Sequence, residues 1–273
     1  MNINYQSWKA YAECPKKYFL RHVEKKPPLV PINDYYRLYG ILVQQFFQMF
    51  CNIWRFKIPY MPIEEVRFKM NVLYKNLLAV SQVTWPQSGP GQDEILEQAC
   101  LDTFAVMDGQ NQNYFLNTQS EVDISVTISS DVNINCRVDF IHKDALDEKS
   151  ILIFDGKGTD KIGKNIDKNQ LYFYTLLYHK HTGIMPAGIG IFYYRFNTYS
   201  PIPLDGKIMD SFQTKLSQDV TNMMSAPIIA TPCSKSCKYC EYRPGCPEST
   251  QYFAKRAKPS KLDIPDGVTE FSF

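Results

Sequence analysis

Three charged side chains follow apolar segments in the middle of the chain. Asp139 ends one such segment, and Asp155 and Lys157 end another with only Gly156 between them. Because side chains alternate along a strand, Asp155 and Lys157 should point to the same side, and Asp139 joins them if its strand lies alongside. Close carboxylates repel each other unless a cation such as Mg²⁺ or Mn²⁺ lies between them. A lysine beside that cation can orient or deprotonate a water, so the group is suited to phosphodiester hydrolysis.

Each of these residues has a simpler interpretation as a solvated residue at a strand end. Glu121, at the start of the preceding predicted strand, could add another carboxylate to the group. The hypothesis of a catalytic site therefore depends on the strands bringing the charged side chains together.

Cysteines form the second notable pattern. The chain has eight, and in a protein without an apparent secretion signal they are better interpreted as thiols or metal ligands than as disulfides. Four thiolates can hold either a zinc ion or an iron–sulfur cluster, and spacing does not separate the two. Cys51, Cys100 and Cys136 stand singly among apolar residues, whereas Cys233, Cys237, Cys240 and Cys246 crowd together and Cys14 lies near the other end.

Composition places the chain among ordinary globular proteins. Its 273 residues are 44% hydrophobic and 21% charged with a net charge of +2, which excludes disorder as a whole. The apolar runs are far shorter than the ~20 residues of a membrane span, and the first residues do not resemble a signal peptide. We expect a soluble cytoplasmic protein.

The near-neutral net charge hides an uneven distribution. Residues 1–30 carry +4 and residues 231–262 carry +5, so the remainder carries −7. If the two ends meet, they form one positive patch that could bind a polyanion. Charges scattered by chance over a solvated surface would explain the same numbers.

The hydrophobic pattern changes from helical to strand-like along the chain. It predicts a helix, a break at Cys14-Pro15 and a short second helix, then a helix that Asn33 or Asp34 could cap. Alternation predicts a strand hairpin, and the run Ile151–Phe154 predicts a buried strand. The predicted elements are helices at about 33–54, 63–83, 92–116, 168–181 and 206–224, and strands at 121–128, 134–141, 151–154 and 187–194.

The order of these residues resembles the PD-(D/E)XK nuclease superfamily, in particular its RecB-like exonuclease branch. The resemblance rests on Asp139, a short loop, an apolar strand, Asp155-Gly-Lys157, and then Gln170 with Tyr174 one helical turn later. It implies an α/β fold with a restriction-endonuclease-like mixed sheet flanked by helices. It also implies that Asp139 and Asp155 bind the catalytic metals, that Lys157 activates the attacking water, and that Gln170 and Tyr174 help to hold the nucleic acid and the site.

The cysteines strengthen this resemblance. A subset of the family, including CRISPR adaptation nucleases and the nuclease domains of helicase–nuclease complexes, has one cysteine before the nuclease core and three after it. Cys14 resembles the first, and Cys237, Cys240 and Cys246 resemble the other three. The resemblance implies a 4Fe-4S cluster that joins the two ends of the chain, with zinc as the alternative and Cys233 as an alternative ligand to Cys237. A helicase or integrase is a possible partner on the same resemblance, but the sequence does not identify one.

One residue departs from the family pattern. The family commonly has a histidine four residues after a glycine on the helix before the core, whereas here Gln44 follows Gly40. An amide oxygen is a weaker ligand than imidazole for transition metals, so metal preference could be altered or activity lost. Gln44 could equally be an ordinary polar residue of a core helix. The expected metal site comprises Asp139, Asp155, Gly156, Gln44 and Glu121.

We therefore expect one nuclease domain over residues 1–273. Its expected function is Mg²⁺- or Mn²⁺-dependent hydrolysis of DNA, as an exonuclease on single strands. The alternatives are a nucleic-acid-binding module that kept the fold but lost efficient catalysis and a zinc-stabilised interaction protein. Within the domain we expect cluster-binding ends at 1–32 and 230–250, a helical region at 33–118, a nuclease core at 119–225 and a basic, then acidic, tail at 251–273.

Overall fold

The described chain forms two compact units in a computed structural model. The first, here called the core unit, comprises the described residues within 1–9 and 33–226, and the second, the terminal unit, comprises those within 10–32 and 227–273. The residues that the structure describes are 1–29, 35–49, 51, 62–80, 91–108, 117–144, 147, 150–159, 161–163, 166–225 and 227–256.

A six-stranded mixed sheet runs through the core unit. The strands are β1 (Asn2–Ile3), β2 (Thr118–Ser129), β3 (Val132–Lys143), β4 (Ile151–Lys157), β5 (Gly188–Tyr193) and β6 (Thr198–Ile202). Hydrogen-bonded neighbours follow the path β1-β3-β4-β5-β6, and β2 pairs with β3 off this path. The β2–β3, β3–β4 and β5–β6 pairs are antiparallel, whereas β1–β3 and β4–β5 are parallel.

Helices cover both faces of this sheet. They are α1 (Tyr5–Glu13, of which residues up to Lys9 belong to this unit), α3 (Tyr35–Met49), α4 (Ile63–Val80), α5 (Gln92–Asp108), α6 (Lys168–Thr182) and α7 (Gly206–Ser225). One hydrophobic core joins alternate strand residues such as Ile153 and Ile191 to helices α1, α6 and α7, and a second joins Phe154 and Phe192 to helices α3, α4 and α5. Successive strand residues thus face opposite cores, as the pleat requires.

Local sequence signals explain where several helices begin and end. Asn4 caps α1, because its Oδ1 accepts a 2.9 Å hydrogen bond from the Ser7 backbone and Ser7 Oγ accepts one from the Asn4 backbone. Gly183 ends α6 with a φ of 76°, a left-handed conformation that glycine adopts at little cost. The long buried helix α6 is thereby fixed at the end remote from Gln170.

The terminal unit brings the two ends of the sequence together. It contains α2 (Pro15–Tyr18), a π-helical turn (Phe19–Val23), α8 (Ser234–Lys238) and α9 (Pro247–Ala254). Lys16 Nζ lies 2.8 Å from both oxygens of Glu248, and Arg21 pairs with the buried carboxylate of Glu241. Segments near both ends of the sequence, in which the positive charges concentrate, therefore lie in one unit.

The mixed α/β class and most of the predicted elements are confirmed, with two corrections. Asp139 does not end its strand, because β3 continues for four more residues, and β4 is longer than its apolar run Ile151–Phe154, although it ends at Lys157 as predicted. The short strands β1 and β6 were not predicted, since two and five residues carry too little periodicity. The proposed cap at Asn33 or Asp34 lies outside the described residues. Within the described chain, no helix is long and apolar enough to cross a membrane.

Candidate active site

Two aspartates face each other across neighbouring strands of the sheet. Phe140 of β3 pairs with Phe154 of β4, so the antiparallel register places Asp139 opposite Asp155. The two carboxyl groups share a hydrogen bond, and Asp155 is only 2% exposed. Burial, followed by the adjacent Asp155 charge, raises the pKa of Asp139 well above its usual value. The fold thus forces together two acidic groups that would separate in water.

Lys157 supplies the positive charge of this group. Its Nζ lies 2.6 Å from Asp155 Oδ2, as expected for two residues on one side of β4. Burial alone would lower the pKa of Lys157, but the charges of Asp155 and Asp139 outweigh it and raise the pKa. Asp155 Oδ2 is buried and makes no well-directed hydrogen bond despite this ionic contact. Lys157 therefore keeps its proton and its positive charge. The Asp155 Oδ2 atom beside it can still accept a hydrogen bond or bind a cation.

Helix α6 places two polar side chains over the aspartates. Gln170 Nε2 donates a 2.8 Å hydrogen bond to Tyr174 Oη, and Tyr174 Oη donates a longer one of 3.3 Å to Asp139 Oδ1. The two residues are one helical turn apart and share a face of the helix. Burial and the Asp139 charge raise the pKa of Tyr174, which keeps its hydroxyl a donor. The predicted convergence of Gln170 and Tyr174 with the acidic pair is thus present in the structure.

Glu121 lies on the other side of Asp139. In the β2–β3 register, Ser120 pairs with Phe140 and Val122 with Val138, so Glu121 stands opposite Asp139. Its backbone has a φ of 54°, an uncommon left-handed conformation for a non-glycine residue inside a strand. Gln44 Nε2 of α3 donates a hydrogen bond to Glu121 Oε1. Burial raises the pKa of Glu121, and the Gln44 hydrogen bond opposes that rise.

Two tyrosines that the sequence analysis did not single out pack against the glycines of β4 and its end. A Cβ placed on Gly156 would lie 1.8 Å from Tyr194 Oη, and one placed on Gly158 would lie 2.0 Å from Cε1 of Tyr39. Tyr194 is fully buried and its hydroxyl has no hydrogen-bond partner among the described residues. Two glycines at alternate positions are a sequence signal for such close approach.

A polar network holds one of these tyrosines in place. Tyr39 Oη donates to Asp102 Oδ2, and Gln98 Nε2 donates a 2.7 Å hydrogen bond to Asp102 Oδ1. Arg195 Nε lies 3.4 Å from Asp102 Oδ2, and its guanidinium carbon is 4.8 Å from the Tyr39 ring centroid. Helices α3 and α5 therefore fix the chain just beyond Lys157 through Tyr39.

The terminal unit has a second cluster of functional side chains. Cys14, Cys237, Cys240 and Cys246 line one pocket there, while Cys233 is not among its lining residues. Cys233 instead caps α8, where its Sγ accepts a 3.3 Å hydrogen bond from the Ser236 backbone. Burial raises the pKa of the Cys240 and Cys246 thiols. Cys51, Cys100 and Cys136 are buried in the core unit, as predicted.

Comparison with known proteins identifies the family. The sequence model of the PD-(D/E)XK nuclease superfamily matches residues 2–247 of this chain. The chain belongs to this superfamily.

Two solved structures are similar to this PD-(D/E)XK protein. A crystal structure from Eubacterium rectale named "Putative exonuclease" has a TM-score of 0.51 and 11% sequence identity, and covers 82% of this chain and 80% of its own. The structure of SSO0001 has a TM-score of 0.36 and 18% identity, and covers 78% of this chain and 95% of its own. No curated protein matches the chain. The first similarity supports the restriction-endonuclease-like fold.

PD-(D/E)XK nucleases generally use divalent metals, so the acidic group must be tested against that requirement. In the described part of the chain, no three His, Cys, Asp or Glu side chains form a group arranged to hold a metal ion. The carboxylates instead bond to one another, to Lys157 and to Gln44. The ligand atoms of the acidic group nevertheless suit a divalent cation. Mg²⁺ prefers oxygen ligands, and Asp155 Oδ2 is a buried oxygen without a hydrogen bond.

Proposed function

We propose that the chain is a Mg²⁺- or Mn²⁺-dependent deoxyribonuclease, acting as an exonuclease on single strands. The observation that carries this proposal is the convergence of Asp139, Asp155 and Lys157 on one face of the sheet. Membership of a nuclease superfamily supports hydrolysis of nucleic acid, and the name of the Eubacterium rectale protein supports exonuclease action.

Asp139 and Asp155 would hold the divalent cation, with Glu121, the Gly156 backbone and Gln44 as further candidates. When bound, such a cation supplies charge neutralisation at the scissile phosphate. Tyr174 donates to Asp139 Oδ1 and Gln170 donates to Tyr174, so this chain of hydrogen bonds fixes the rotamer of one metal-binding carboxylate. The site is thus held in geometry by residues that need not touch the substrate.

Lys157 acts on the water in this proposal. Because its pKa is raised, the ammonium keeps its proton near neutral pH and serves as a hydrogen-bond donor rather than as a base. It can orient the attacking water and stabilise the negative charge that develops on the phosphate. In the overall reaction, water adds across one P–O bond: its hydroxyl joins the phosphorus, and its remaining proton goes to the departing sugar oxygen.

The deciding experiment compares the natural chain with Asp155→Asn. Linear single-stranded, linear duplex and circular single-stranded DNA are incubated with Mg²⁺, with Mn²⁺ or with EDTA, and RNA is tested in parallel. We expect release of nucleotides from linear single strands only when metal is present, and a loss of at least ~10²-fold in Asp155→Asn. Asp210→Asn, an exposed aspartate on α7, is the matched control. Full cleavage by Asp155→Asn would refute the site, and cleavage of circles would refute exonuclease action.

A specific observation favours a second candidate, a nucleic-acid-binding module with weak or lost catalysis. Gln44 presents an amide donor to Glu121, where the family pattern has an imidazole. Binding of DNA without cleavage under every metal condition would support this candidate. A zinc-stabilised interaction protein is the third alternative, and it predicts neither binding nor cleavage.

For the terminal unit, we propose a 4Fe-4S cluster held by Cys14, Cys237, Cys240 and Cys246. The support for this proposal is that the four cysteines line one pocket, although their thiols are not arranged as a metal-binding group in the structure; zinc is the alternative. Iron, sulfide and zinc contents of anaerobically purified protein decide between them. A helicase or integrase partner is part of this proposal, and co-purification from the native cells tests it.

A further inference from the structure

The terminal unit carries a large surplus of positive charge. Each of its four described carboxylates already pairs with a cation, in the pairs Glu13–Lys17, Glu24–Lys26, Glu241–Arg21 and Glu248–Lys16. Its described residues include ten Lys and Arg, so six cations exceed the available carboxylates. These six are Lys25, Lys235, Lys238, Arg243, Lys255 and Arg256.

The terminal unit also exposes an aromatic side chain, Tyr239, and the surplus positive charge does not account for that exposure. Tyr239 is 77% exposed, more than any other exposed large hydrophobic residue in the described chain. A tyrosine ring stabilises a fold through burial, and a ring this exposed contributes little of that. Tyr239 follows α8 directly, and Lys238 Nζ lies 5.2 Å from its ring centroid. An aromatic face is therefore presented to solvent with a cation beside it.

Backbone hydrogen bonds anchor the turn that carries Tyr239. The Tyr239 backbone N–H donates to the Cys237 carbonyl, and the Cys240 backbone N–H donates to the same carbonyl over 3.3 Å. Cys237 and Cys240, which both line the cysteine pocket of the terminal unit, lie before and after Tyr239 in the sequence. Because the backbone is already fixed there, only the two side-chain torsions of Tyr239 lose freedom when a flat ligand stacks on its ring.

The surroundings favour a nucleic acid over a protein as the ligand. Lysine is depleted at protein–protein interfaces, whereas grooves for unpaired strands combine cations for the backbone with aromatic rings for the bases. Lys235 and Lys238 are three residues apart on α8 and share a helix face next to Tyr239. A duplex offers phosphates to these lysines but keeps its base faces stacked away from the ring.

We propose that Tyr239 is a stacking platform for an unpaired base, and that the terminal unit thereby selects single strands. The proposal names the substrate form of the proposed nuclease and rests on that function for its biological meaning. Stacking is sequence-tolerant because every base has a π face. Lys235 and Lys238 would contact the flanking phosphates without distinguishing one strand from two.

The test measures binding separately from cleavage. Fluorescence anisotropy with a labelled single-stranded oligonucleotide and with its blunt duplex is recorded in the Asp155→Asn background, where cleavage does not interfere. Tyr239→Ala should weaken single-strand binding roughly five- to 100-fold, and duplex binding less than twofold. Tyr239→Phe keeps the ring and should bind within about twofold of the parent. Phe68→Ala, which removes a 68% exposed ring from α4, should change neither affinity.

Lys238→Gln provides the contrasting result. Loss of one phosphate contact should weaken single-strand and duplex binding alike and reduce the salt slope of log K by about 1. If Tyr239→Ala loses iron or melts early, Tyr239→Trp replaces it. Single strands should then quench the introduced indole, and the duplex should not.

Equal single-strand affinity of Tyr239→Ala and the parent overturns the proposal. Absence of quenching in Tyr239→Trp overturns it independently. Failure of the proposed function is distinguishable, because it appears as absent cleavage by the natural chain with metal while the anisotropy measurements still report binding.

Discussion

Gln44 of α3 donates a hydrogen bond through its side-chain amide to Glu121 of β2, a residue 77 positions later in the sequence. The contact reaches a glutamate whose left-handed backbone is strained and which stands opposite Asp139. Strain of this kind persists where surrounding structure over-determines it, and it clusters at functional sites. Gln44 therefore contacts the acidic group through Glu121.

The first prediction restores the residue of the family pattern. Gln44→His should increase Mn²⁺-dependent cleavage by about tenfold, because imidazole is the better ligand for a transition metal. Mg²⁺-dependent cleavage should change less, since Mg²⁺ prefers oxygen. Initial rates with each metal measure the ratio. Gln45→His, the neighbouring partly exposed glutamine, is the matched control, and an unchanged Mn²⁺/Mg²⁺ ratio in Gln44→His would place residue 44 outside the metal site.

The second prediction removes the positive charge beside Asp155. Lys157→Ala should lower kcat by on the order of 10²-fold or more, since the ammonium that orients the water is lost. Lys161→Ala removes an exposed lysine from the loop that follows β4 and should leave kcat within about twofold. Single-turnover cleavage with saturating enzyme separates this effect from binding. A near-normal rate in Lys157→Ala would make Lys157 a structural counter-ion of Asp155.

The sequence predicts the site best where the periodicity of a single strand or helix decides which side chains share a face. Alternation predicted that Asp155 and Lys157 share a side of β4, and helical spacing predicted the same for Gln170 and Tyr174 on α6; both relationships are present. The network of Asp102 with Tyr39 and Arg195 was not predictable, since its members lie on separate elements and only tertiary packing joins them. A single sequence records periodicity within an element but not the packing between elements.

The third prediction follows from the raised pKa of Asp139. An aspartate in the unfolded chain has a pKa of about 3.9. In the folded protein, Asp139 keeps its proton to higher pH. The stability that this group contributes is therefore fully present below the unfolded pKa. It is lost as the pH rises through the folded pKa, where the unfolded state binds fewer protons. Metal binding competes with the same proton, so cleavage should rise with pH over this window.

Asp139→Asn separates these two effects. At pH 8 in EDTA, the variant should melt at least about 2 °C above the natural chain, or about 1 kcal/mol for a protein of this size, because a buried charge is removed. The difference should shrink toward pH 4, and cleavage should be lost at every pH. Asp210→Asn serves again as the control. A lower melting temperature for Asp139→Asn at pH 8 contradicts the prediction.

The fourth prediction concerns the close approach of Tyr194 to Gly156. A methyl group on Gly156 would stand 1.8 Å from Tyr194 Oη and 2.4 Å from its Cζ, so Gly156→Ala must shift β4 or the ring. We expect a loss of about 1–3 kcal/mol in unfolding free energy and a lower kcat, since β4 carries Asp155 and Lys157. Denaturant unfolding and initial rates measure the two effects.

Two further variants identify the cause of that loss. Gly206→Ala, where an added Cβ meets nothing within 4 Å, should leave stability nearly unchanged. The double variant Gly156→Ala/Tyr194→Ala should be less destabilised than the sum of its single variants, with a coupling of about 0.5–3 kcal/mol. Strict additivity would show that Tyr194 is not the residue that excludes a side chain at Gly156.

The last prediction tests whether Cys14 joins the cysteines at the other end of the sequence. Cys14 is more than 220 residues from Cys237, yet both line one pocket of the terminal unit. A bridge through a cluster would close that long loop, and the corresponding covalent cross-link would stabilise a chain by roughly 5 kcal/mol. Cys14→Ala should therefore lose iron and visible absorption and lower the melting temperature.

Cys233→Ala is the control, because it removes a thiol that caps α8 but does not line the pocket. It should retain the cluster and lower the free energy of unfolding by about 1 kcal/mol. Full iron content in Cys14→Ala, together with its loss in Cys233→Ala, would instead assign the fourth ligand to Cys233.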